Sequence, residues 1–291
     1  MKLSRGEKAF SWVNSLVLLV YTVIVVFPFW YVICASLTDY SVFSSSGGIV
    51  LFPKKVNLEY YNYILRSGRV FINTYINTIF NTVVGTVFAM LMTIGAAYGL
   101  AEKKLPGRKL IMMYFIITMF FSGGMIPTYI TVKKLGLLDT RLTVVLIMGF
   151  MTYNMIIMKS FFESIPASLK ESARLDGASE FRILIQIVVP VSRPAIATIA
   201  LFYGVAYWND FFTAMMYSPK IDYQPVQLLL RNIIAQGNLP PEVMQETLEI
   251  APPMIGVQMA SVVLVALPLV LVYPFVQKYF EKGIMLGAVK G

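Results

Sequence analysis

The chain has 291 residues, of which 57% are hydrophobic and only 13% are charged, and its mean hydropathy is +0.71. Soluble domains carry about 25% charged residues, so this composition predicts a protein whose main solvent is lipid. The sequence contains no histidine and a single cysteine, Cys34, which excludes a disulfide framework, histidine metal sites and Ser-His or Cys-His catalysis. The net charge of +9 is interpreted as the charge of cytoplasmic loops and not as a nucleic-acid-binding surface.

Six segments are apolar and long enough to cross a bilayer. A spanning helix needs about 20 mostly apolar residues, and its backbone must be hydrogen-bonded internally. The segments are 10–37, 72–101, 110–130, 142–158, 186–217 and 253–280. Ser122, Gly123, Gly124 and Pro127 interrupt the outer end of the third segment. The sequence therefore predicts an all-α integral membrane protein with six transmembrane helices.

The distribution of basic residues predicts the orientation of these helices. With the N-terminus inside, the cytoplasmic segments carry 15 of the 24 Lys and Arg residues, and the longer outer segments carry nine. This excess follows the positive-inside rule and places both termini in the cytoplasm. We divide the chain into 1–71 (N-terminus, first helix and first extracellular loop), a five-helix core 72–282, and a cytoplasmic tail 283–291. The core includes the cytoplasmic loop 159–185 and the extracellular loop 218–251.

The cytoplasmic loop predicts a short helix, a turn and a second helix. Ser164 precedes the first helix and Pro166 lies near its first turn, where a missing N–H costs little. Gly177 ends that helix in a left-handed conformation, and Ser179 opens the next helix. The small residues of the loop are expected to be exposed for close approach: Ser172, Ala173 and Ala178.

Two other interpretations of this loop follow from the residues alone. An interfacial amphipathic helix that merely connects two spans accounts for the pattern equally well. A DNA-reading helix-turn-helix is disfavoured, because the loop is tethered to spans at both ends. Its charges are also nearly balanced.

The loop resembles a known motif. Residues 171–173, 176–178 and 187–190 read Glu-Ser-Ala, Asp-Gly-Ala and Ile-Val-Val-Pro, which is similar to the EAA motif of permease subunits in binding-protein-dependent ABC importers. Ser172 and Val189 depart from that pattern by small or apolar replacements. Further matching segments are 97–101, 105–107, 126–127, 135–140 and 277–291. Together they resemble the carbohydrate branch, namely the maltose-type second permease and the LplC-like subunits of complex oligosaccharide uptake.

The resemblance implies a type I ABC importer permease fold in a multi-pass protein of the bacterial inner membrane. It implies import of oligosaccharides, including polysaccharide-derived ones, by alternating access. The implied partners are a homologous second permease subunit, two copies of a cytoplasmic ABC ATPase and an extracellular solute-binding protein. The sequence has no G-x-x-x-x-G-K-[ST] phosphate loop. The chain is thus expected to be a transport subunit without a cofactor, and ATP with Mg²⁺ is expected on the partner ATPases.

The resemblance also implies two regions of contact with the ATPases. In the loop, the matching positions are Glu171, Ser172, Ala173, Asp176, Gly177 and Ala178. In the tail, the implied contacts are Gly287, Lys290 and Gly291. A solvated basic tail, ordinary for an inner terminus, is the alternative for the second region.

One ionisable residue within a span points to the substrate pathway. Such residues are costly in lipid and are functional by default, and Asp210 is the clearest example. Tyr203, Tyr207 and Asp210 are spaced to share one helical face, and this mixture of aromatic faces and polar groups suits a sugar. The predicted pathway residues are Tyr203, Tyr207, Trp208, Asn209 and Asp210. The alternatives are an interfacial aromatic belt and an Asp210 that caps a helix end.

Two other functions were weighed against the importer. An ion-coupled secondary transporter of a small polar solute generally needs several intramembrane ionisable groups and often shows internal repeats. This sequence has one convincing buried acid and no duplicated pattern. A membrane enzyme that acts on lipid-linked sugars is disfavoured, because the sequence has no histidine and no clustered pair of acids.

Overall fold

The computed structural model describes residues 5–53, 55–66, 69–237 and 252–288. These residues are helical apart from loops and one isolated antiparallel bridge between Thr38 and Val56. The chain divides into two units. Unit 1 contains Met1–Gly68 and Asn232–Leu267, and unit 2 contains Arg69–Arg231 and Pro268–Gly291.

Unit 1 begins with a long lipid-exposed helix and a segment that folds back on its end. Its first three helices are α1 (Arg5–Ser36), α2 (Tyr40–Ser45) and α3 (Glu59–Arg66). Most apolar side chains of α1 are exposed. A helix with such a surface is stable in an apolar environment and not in water. The Trp30 Nε1–H donates to the Leu51 carbonyl (2.8 Å), and the Asn57 N–H donates to the Leu37 carbonyl (2.9 Å). These bonds hold the segment after α1 against the end of that helix.

The helices that lie wholly within unit 2 follow α3 along the chain. They are α4 (Arg69–Ala101), α5 (Arg108–Phe120), α6 (Met125–Lys134), α7 (Thr143–Ile147), α8 (Thr152–Ser164), α9 (Ala167–Leu175), α10 (Glu180–Val191), α11 (Arg193–Asn209) and α12 (Phe212–Tyr217). Two further helices contain residues of both units: α13 (Val226–Gln236) and α14 (Met254–Ala288). Within unit 2, α11 packs along α4, and both helices pack on α8.

Three helices of the described residues are long and apolar enough to cross a membrane unbroken. They are Gly6–Ser36, Arg69–Ala101 and Met254–Pro274. Counting each bent pair as one broken span raises the number to five. The pair α5 and α6 is bent by 115°, and the pair α10 and α11 is bent by 86°. The first of these breaks lies at the predicted Ser-Gly-Gly interruption. The prediction of six spans and of two cytoplasmic termini stays a prediction.

The expectation that residues 142–158 form one continuous span is wrong. The helix stops after Ile147 and restarts at Thr152, and it then continues to Ser164, beyond the predicted end. The break contains Gly149, where an added Cβ would lie 2.4 Å from a ring carbon of Phe88. Close packing between helices, which the local sequence does not reveal, therefore accompanies the interruption.

Candidate functional site

The predicted helix–turn–helix of the loop is present, and we name residues 167–183 the elbow. Helix α9 ends in a Schellman turn, in which the Gly177 N–H donates to the Arg174 carbonyl (3.1 Å) and the Ala178 N–H donates to the Ala173 carbonyl (3.0 Å). Gly177 has a φ of +78°, as the sequence predicted. The Ser179 hydroxyl then accepts the Arg182 N–H (3.3 Å) and caps α10. The elbow is thus a defined turn between two helices.

The start of the elbow agrees with the prediction that Ser164 precedes a short helix and that Pro166 lies near its first turn. Ser164 is the last residue of α8, and its hydroxyl donates to the Phe161 carbonyl (2.7 Å). Pro166 is the residue directly before α9. Proline fits this position, because its fixed φ lets the chain enter a helix and its missing N–H loses no helical hydrogen bond.

The six predicted coupling residues divide between two faces of the elbow. Glu171, Ser172, Asp176 and Gly177 are exposed. Ala173 and Ala178, which were expected to be exposed, are half-buried against the hydrophobic core of unit 2. For Ala173 the correction follows from the helical period, because the face of α9 that carries it rests on the core. Ala178 lies in the turn between α9 and α10 and packs on the same core.

Two large apolar residues lie on the elbow beside the exposed coupling residues. Leu175 is 89% exposed and Phe181 is 74% exposed. Residues of this size at a tight turn next to polar groups are typical of anchors that insert into a partner. The sequence-based reasoning did not select either residue.

Four residues hold the inner face of the elbow against the end of α4. The Arg174 Nε–H donates to Glu180 Oε1 (2.7 Å), and its Nη2–H donates to Glu102 Oε2 (2.9 Å). The Tyr98 hydroxyl donates to Glu180 Oε2 (2.6 Å). We name Tyr98, Glu102, Arg174 and Glu180 the ionic ring. Cavities of about 450 Å³ and 440 Å³ lie beside it, and both are lined by Glu102, Lys170 and Arg174.

The charges of the ionic ring stabilise one another. Hydrogen bonds from Arg174 and from the Lys104 backbone lower the pKa of Glu102, and hydrogen bonds to Glu180 and Glu102 raise the pKa of Arg174. Burial lowers the pKa of the neighbouring Lys170, whose ammonium lies 5.8 Å from the centre of the Tyr98 ring. The two carboxylates and the guanidinium of the ionic ring are therefore favoured in their charged forms.

A second ion cluster fixes the frame next to the elbow. The Arg108 Nε–H donates to the Leu100 carbonyl (2.8 Å), and its guanidinium pairs with Glu163. Lys159 pairs with the other Glu163 oxygen (2.9 Å). The ends of α4 and α8 and the start of α5 are joined in this way.

The predicted tail contacts fall near the end of the described residues. Gly287 lies in the last turn of α14. Lys290 and Gly291 lie outside the described residues, as does much of the loop 218–251. Contact of this tail with an ATPase stays a prediction.

The predicted pathway tyrosines are buried and bridge the break between α7 and α8. Tyr203 is 0% exposed and Tyr207 is 1% exposed. The Tyr203 hydroxyl accepts the Met151 N–H (2.9 Å) and is hydrogen-bonded to the Thr93 hydroxyl (2.7 Å). The Tyr207 hydroxyl donates to the Val145 carbonyl (2.8 Å). We name Tyr203 and Tyr207 the tyrosine bridge, because they satisfy backbone groups that an unbroken helix would satisfy internally.

The other pathway residues lie at the end of α11. Trp208 is buried and Asn209 is exposed. The expectation that Asp210 shares a helical face with the tyrosines is wrong, since α11 ends at Asn209 and Asp210 has extended backbone. Its carboxylate accepts the N–H groups of Thr213 (3.1 Å) and Ala214 (3.3 Å). Asp210 therefore caps α12, which was the alternative considered. Sugar contact by any of the five residues stays a prediction.

Sequence-based reasoning missed the ionic ring and the tyrosine bridge. One signal for the ring was present: Tyr98 and Glu102 are spaced four residues apart, so they share a face at the end of α4. Another was the near balance of acids and bases in the loop, which is consistent with internal pairing. The pairing itself joins residues 72 positions apart for Arg174 and Glu102.

A comparison with protein families matches residues 70–286 to the family described as binding-protein-dependent transport system inner membrane component. The protein LplC of Bacillus subtilis is 39% identical over 288 residues, which are 99% of this chain and 97% of that protein. The polygalacturonan/rhamnogalacturonan transport system permease protein YtcP of Bacillus subtilis is 41% identical over 275 residues, or 94% of this chain and 96% of that protein.

A solved structure has the same fold. It is the crystal structure of a bacterial ABC transporter involved in the import of the acidic polysaccharide alginate. One of its chains is 33% identical to this chain and superimposes with a TM-score of 0.87. The match covers 96% of this chain and 99% of that one.

Proposed function

The chain belongs to the family of binding-protein-dependent transport system inner membrane components, and we propose that it is the permease subunit of an ATP-driven oligosaccharide importer. In this role it transports sugar through the bacterial inner membrane and performs no chemistry itself. Its partners are a homologous second permease, two copies of an ABC ATPase on the cytoplasmic side and a solute-binding protein outside. The ATPases bind and hydrolyse ATP.

The elbow is the observation that carries this proposal. Its exposed face presents Glu171, Ser172, Asp176 and Gly177 together with the apolar Leu175 and Phe181. Its other face rests on the core of unit 2. A segment built in this way can receive a push from a partner on one face and transmit it through the other. On the proposed orientation the elbow lies in the cytoplasm, where the ATPases bind.

The substrate proposed is an acidic oligosaccharide derived from a plant or microbial polysaccharide. YtcP is named for polygalacturonan and rhamnogalacturonan, and the matching solved structure belongs to an alginate importer. All three named polysaccharides contain uronic acids. Neutral oligosaccharides of similar length are the competing class, and the two are distinguished by offering both to the purified transport complex.

Within the pathway, Asn209 is proposed to contact the sugar directly. Its side chain is exposed and lies 3.5 Å from the Gln227 amide, so the pair offers donors and acceptors to hydroxyl groups. The tyrosine bridge, Trp208 and Asp210 are proposed to set the shape of this region. Asn209→Ala should then raise the KM of uptake without changing the amount of assembled complex.

The function is tested with the complex purified from its host through an affinity tag on this chain and reconstituted into proteoliposomes. ATP inside and sugar-loaded binding protein outside should together produce uptake, and omission of either should abolish it. Uptake that continues without ATP but collapses with an ionophore would overturn the proposal in favour of an ion-coupled transporter.

A further inference from the structure

One guanidinium makes two ion pairs in the contact between the elbow and the end of α4. Arg174 lies between two carboxylates from different elements: Glu180 follows it in the elbow, and Glu102 lies just past the end of α4. The distances are 2.7 Å from Nε to Glu180 and 2.9 Å from Nη2 to Glu102. A planar guanidinium can serve two carboxylates at once in fixed directions, which a lysine ammonium cannot do with the same geometry.

The ionic ring closes through α4. Tyr98 and Glu102 lie one helical turn apart, and each contacts a different member of the elbow pair. Glu102 also accepts the Lys104 N–H (3.3 Å), which fixes the turn that follows α4. The ring therefore joins the end of α4 to both helices of the elbow and restrains their rotation as well as their separation.

Apolar packing contributes little to holding α9 in place. Helix α9 has no fully buried residue among those described, and the apolar side chain by which it packs on the core is the small one of Ala173. A small side chain buries little apolar area, so it resists sliding only weakly. The directional contacts that α9 makes at the end of α4 are the ion pair of Arg174 with Glu102 and the Lys170 ammonium over the Tyr98 ring.

Helix α4 extends from the ring to the tyrosine bridge. Thr93 of α4 is hydrogen-bonded to Tyr203, and Gly85 of α4 lies against the ring of Tyr207. A displacement of the end of α4 is thus delivered to the side chains that hold the broken α7–α8 segment. Spatial continuity of this kind is a reason to test for coupling between the two sites by mutation.

We propose that Arg174 is a positioning residue that locks the elbow to α4, so that the two move as one body when the ATPase moves the elbow. The inference rests on the proposed function, because it concerns the contact through which the ATPase acts. Arg174 itself need not touch the ATPase, the nucleotide or the sugar.

The test compares Arg174→Gln with Arg182→Gln in the reconstituted complex. Both variants remove one positive charge from the elbow, but no side-chain ion pair of Arg182 occurs within the described part of the chain. The readout is the number of sugar molecules taken up per ATP hydrolysed. Arg174→Gln should lower this ratio by about fivefold or more, in the range of ordinary coupling between sites, and Arg182→Gln should leave it unchanged. An unchanged ratio in Arg174→Gln would overturn the proposal.

A second variant separates positioning from folding. Glu102→Gln removes the α4 arm of the ring and keeps the arginine in the elbow, and the double variant Arg174→Gln with Glu102→Gln completes a mutant cycle. If Arg174 acts through Glu102, the double variant should show no lower ratio than Arg174→Gln alone. Multiplied losses would contradict the proposal. Arg174→Lys should recover less than half of the loss, since an ammonium does not hold two acids in the fixed directions that the planar guanidinium imposes; full recovery would also contradict the proposal.

The proposed function and the positioning role of Arg174 are contradicted by different outcomes. A wild-type complex that shows no ATP-dependent uptake would contradict the proposed function. A wild-type complex with ATP-driven uptake and an unaffected Arg174→Gln variant would contradict only the positioning role. Co-purification of the ATPase and the thermal midpoint, measured for every variant, show whether a lowered ratio reflects loss of assembly. If Arg174→Gln does not assemble, Glu102→Gln alone must lower the ratio, and a wild-type ratio there would overturn the proposal.

Discussion

The elbow and the tyrosine bridge both stabilise a break in helical structure, but they do so with different kinds of side chain. Both hold a break in helical structure, the elbow at Gly177 and the bridge between α7 and α8. The elbow uses charged side chains that remain partly exposed, with Arg174 and Glu102 each 38% exposed. The bridge uses neutral hydroxyls that are almost completely buried. The elbow is therefore accessible to a partner protein, whereas the hydroxyls of the tyrosine bridge contact only other residues of this chain.

The difference has an energetic consequence. Partly exposed ion pairs are individually worth about 1 kcal/mol or less, because water and salt screen them. A buried hydrogen-bonding group that loses its partner costs about 1–3 kcal/mol. Variants in the bridge should therefore reduce stability, whereas variants in the elbow should change transport and partner binding at nearly constant stability.

The largest effect is expected from Gly177→Pro. Proline fixes φ near −65° and cannot adopt the value of +78° found here, and it also removes the N–H that donates to the Arg174 carbonyl. The turn between α9 and α10 cannot then form, so the exposed face of the elbow should lose its shape and the ATPase should no longer co-purify. Gly136→Pro is the control, since Gly136 also has a positive φ and open space around it but lies outside the elbow. Equal retention of ATPase by both variants would contradict the role of the elbow.

The next largest effect is expected from Gly85→Ala in α4. The new Cβ would lie 2.5 Å from a ring carbon of Tyr207, whose hydroxyl is held by the Val145 carbonyl. Overpacking of this kind costs up to about 3 kcal/mol and should lower the thermal midpoint of the detergent-solubilised complex. Gly95→Ala, on the same helix with no atom within 4 Å of the added Cβ, should instead be neutral or stabilising. Equal thermal midpoints for the two variants would show that the Tyr207 ring can move away from the added Cβ at little cost in stability.

Tyr203→Phe should have a smaller effect of the same kind. The ring is kept, but the buried Met151 N–H and Thr93 hydroxyl lose their partner. The expected loss of stability is about 2 kcal/mol, measured by denaturation of the purified complex. Tyr153→Phe removes an exposed hydroxyl from α8 and should change little. If Tyr203→Phe lowers uptake at unchanged stability, the tyrosine acts on the sugar and not on the fold.

Features with a local cause could be predicted from the sequence. The turn at Gly177 was one, because only glycine adopts a positive φ at low cost there and Ser179 supplies a cap within the same stretch of chain. The break after Phe120 was another, since Gly123 and Gly124 interrupt an apolar run.

Features with a distant cause could not be predicted in this way. At the break before Thr152, the Met151 N–H donates to the hydroxyl of Tyr203, which lies 52 residues further along the chain. The ionic ring depends on Glu102, which directly follows the long apolar helix α4. The residues next to Glu102 in sequence do not indicate that it pairs with Arg174. Helical periodicity indicates which residues of a helix share a face, but it does not indicate what that face contacts. For this reason Ala173 and Ala178 were predicted to be exposed, whereas both are half-buried.

The smallest predicted effect concerns pH and the ionic ring. Arg174 lowers the pKa of Glu102 below its ordinary value of 4.5, so Glu102 stabilises the folded protein above that pH and loses this contribution as the pH falls through its lowered pKa. Glu102→Gln should therefore lower the thermal midpoint slightly at pH 7, by an amount that corresponds to less than about 1 kcal/mol. The difference from wild type should shrink as the pH is lowered to about 3.5. A difference that is constant across this range would mean that Glu102 contributes through its shape or its bond to the Lys104 N–H, and the charged contact with Arg174 would then have no measurable effect on stability.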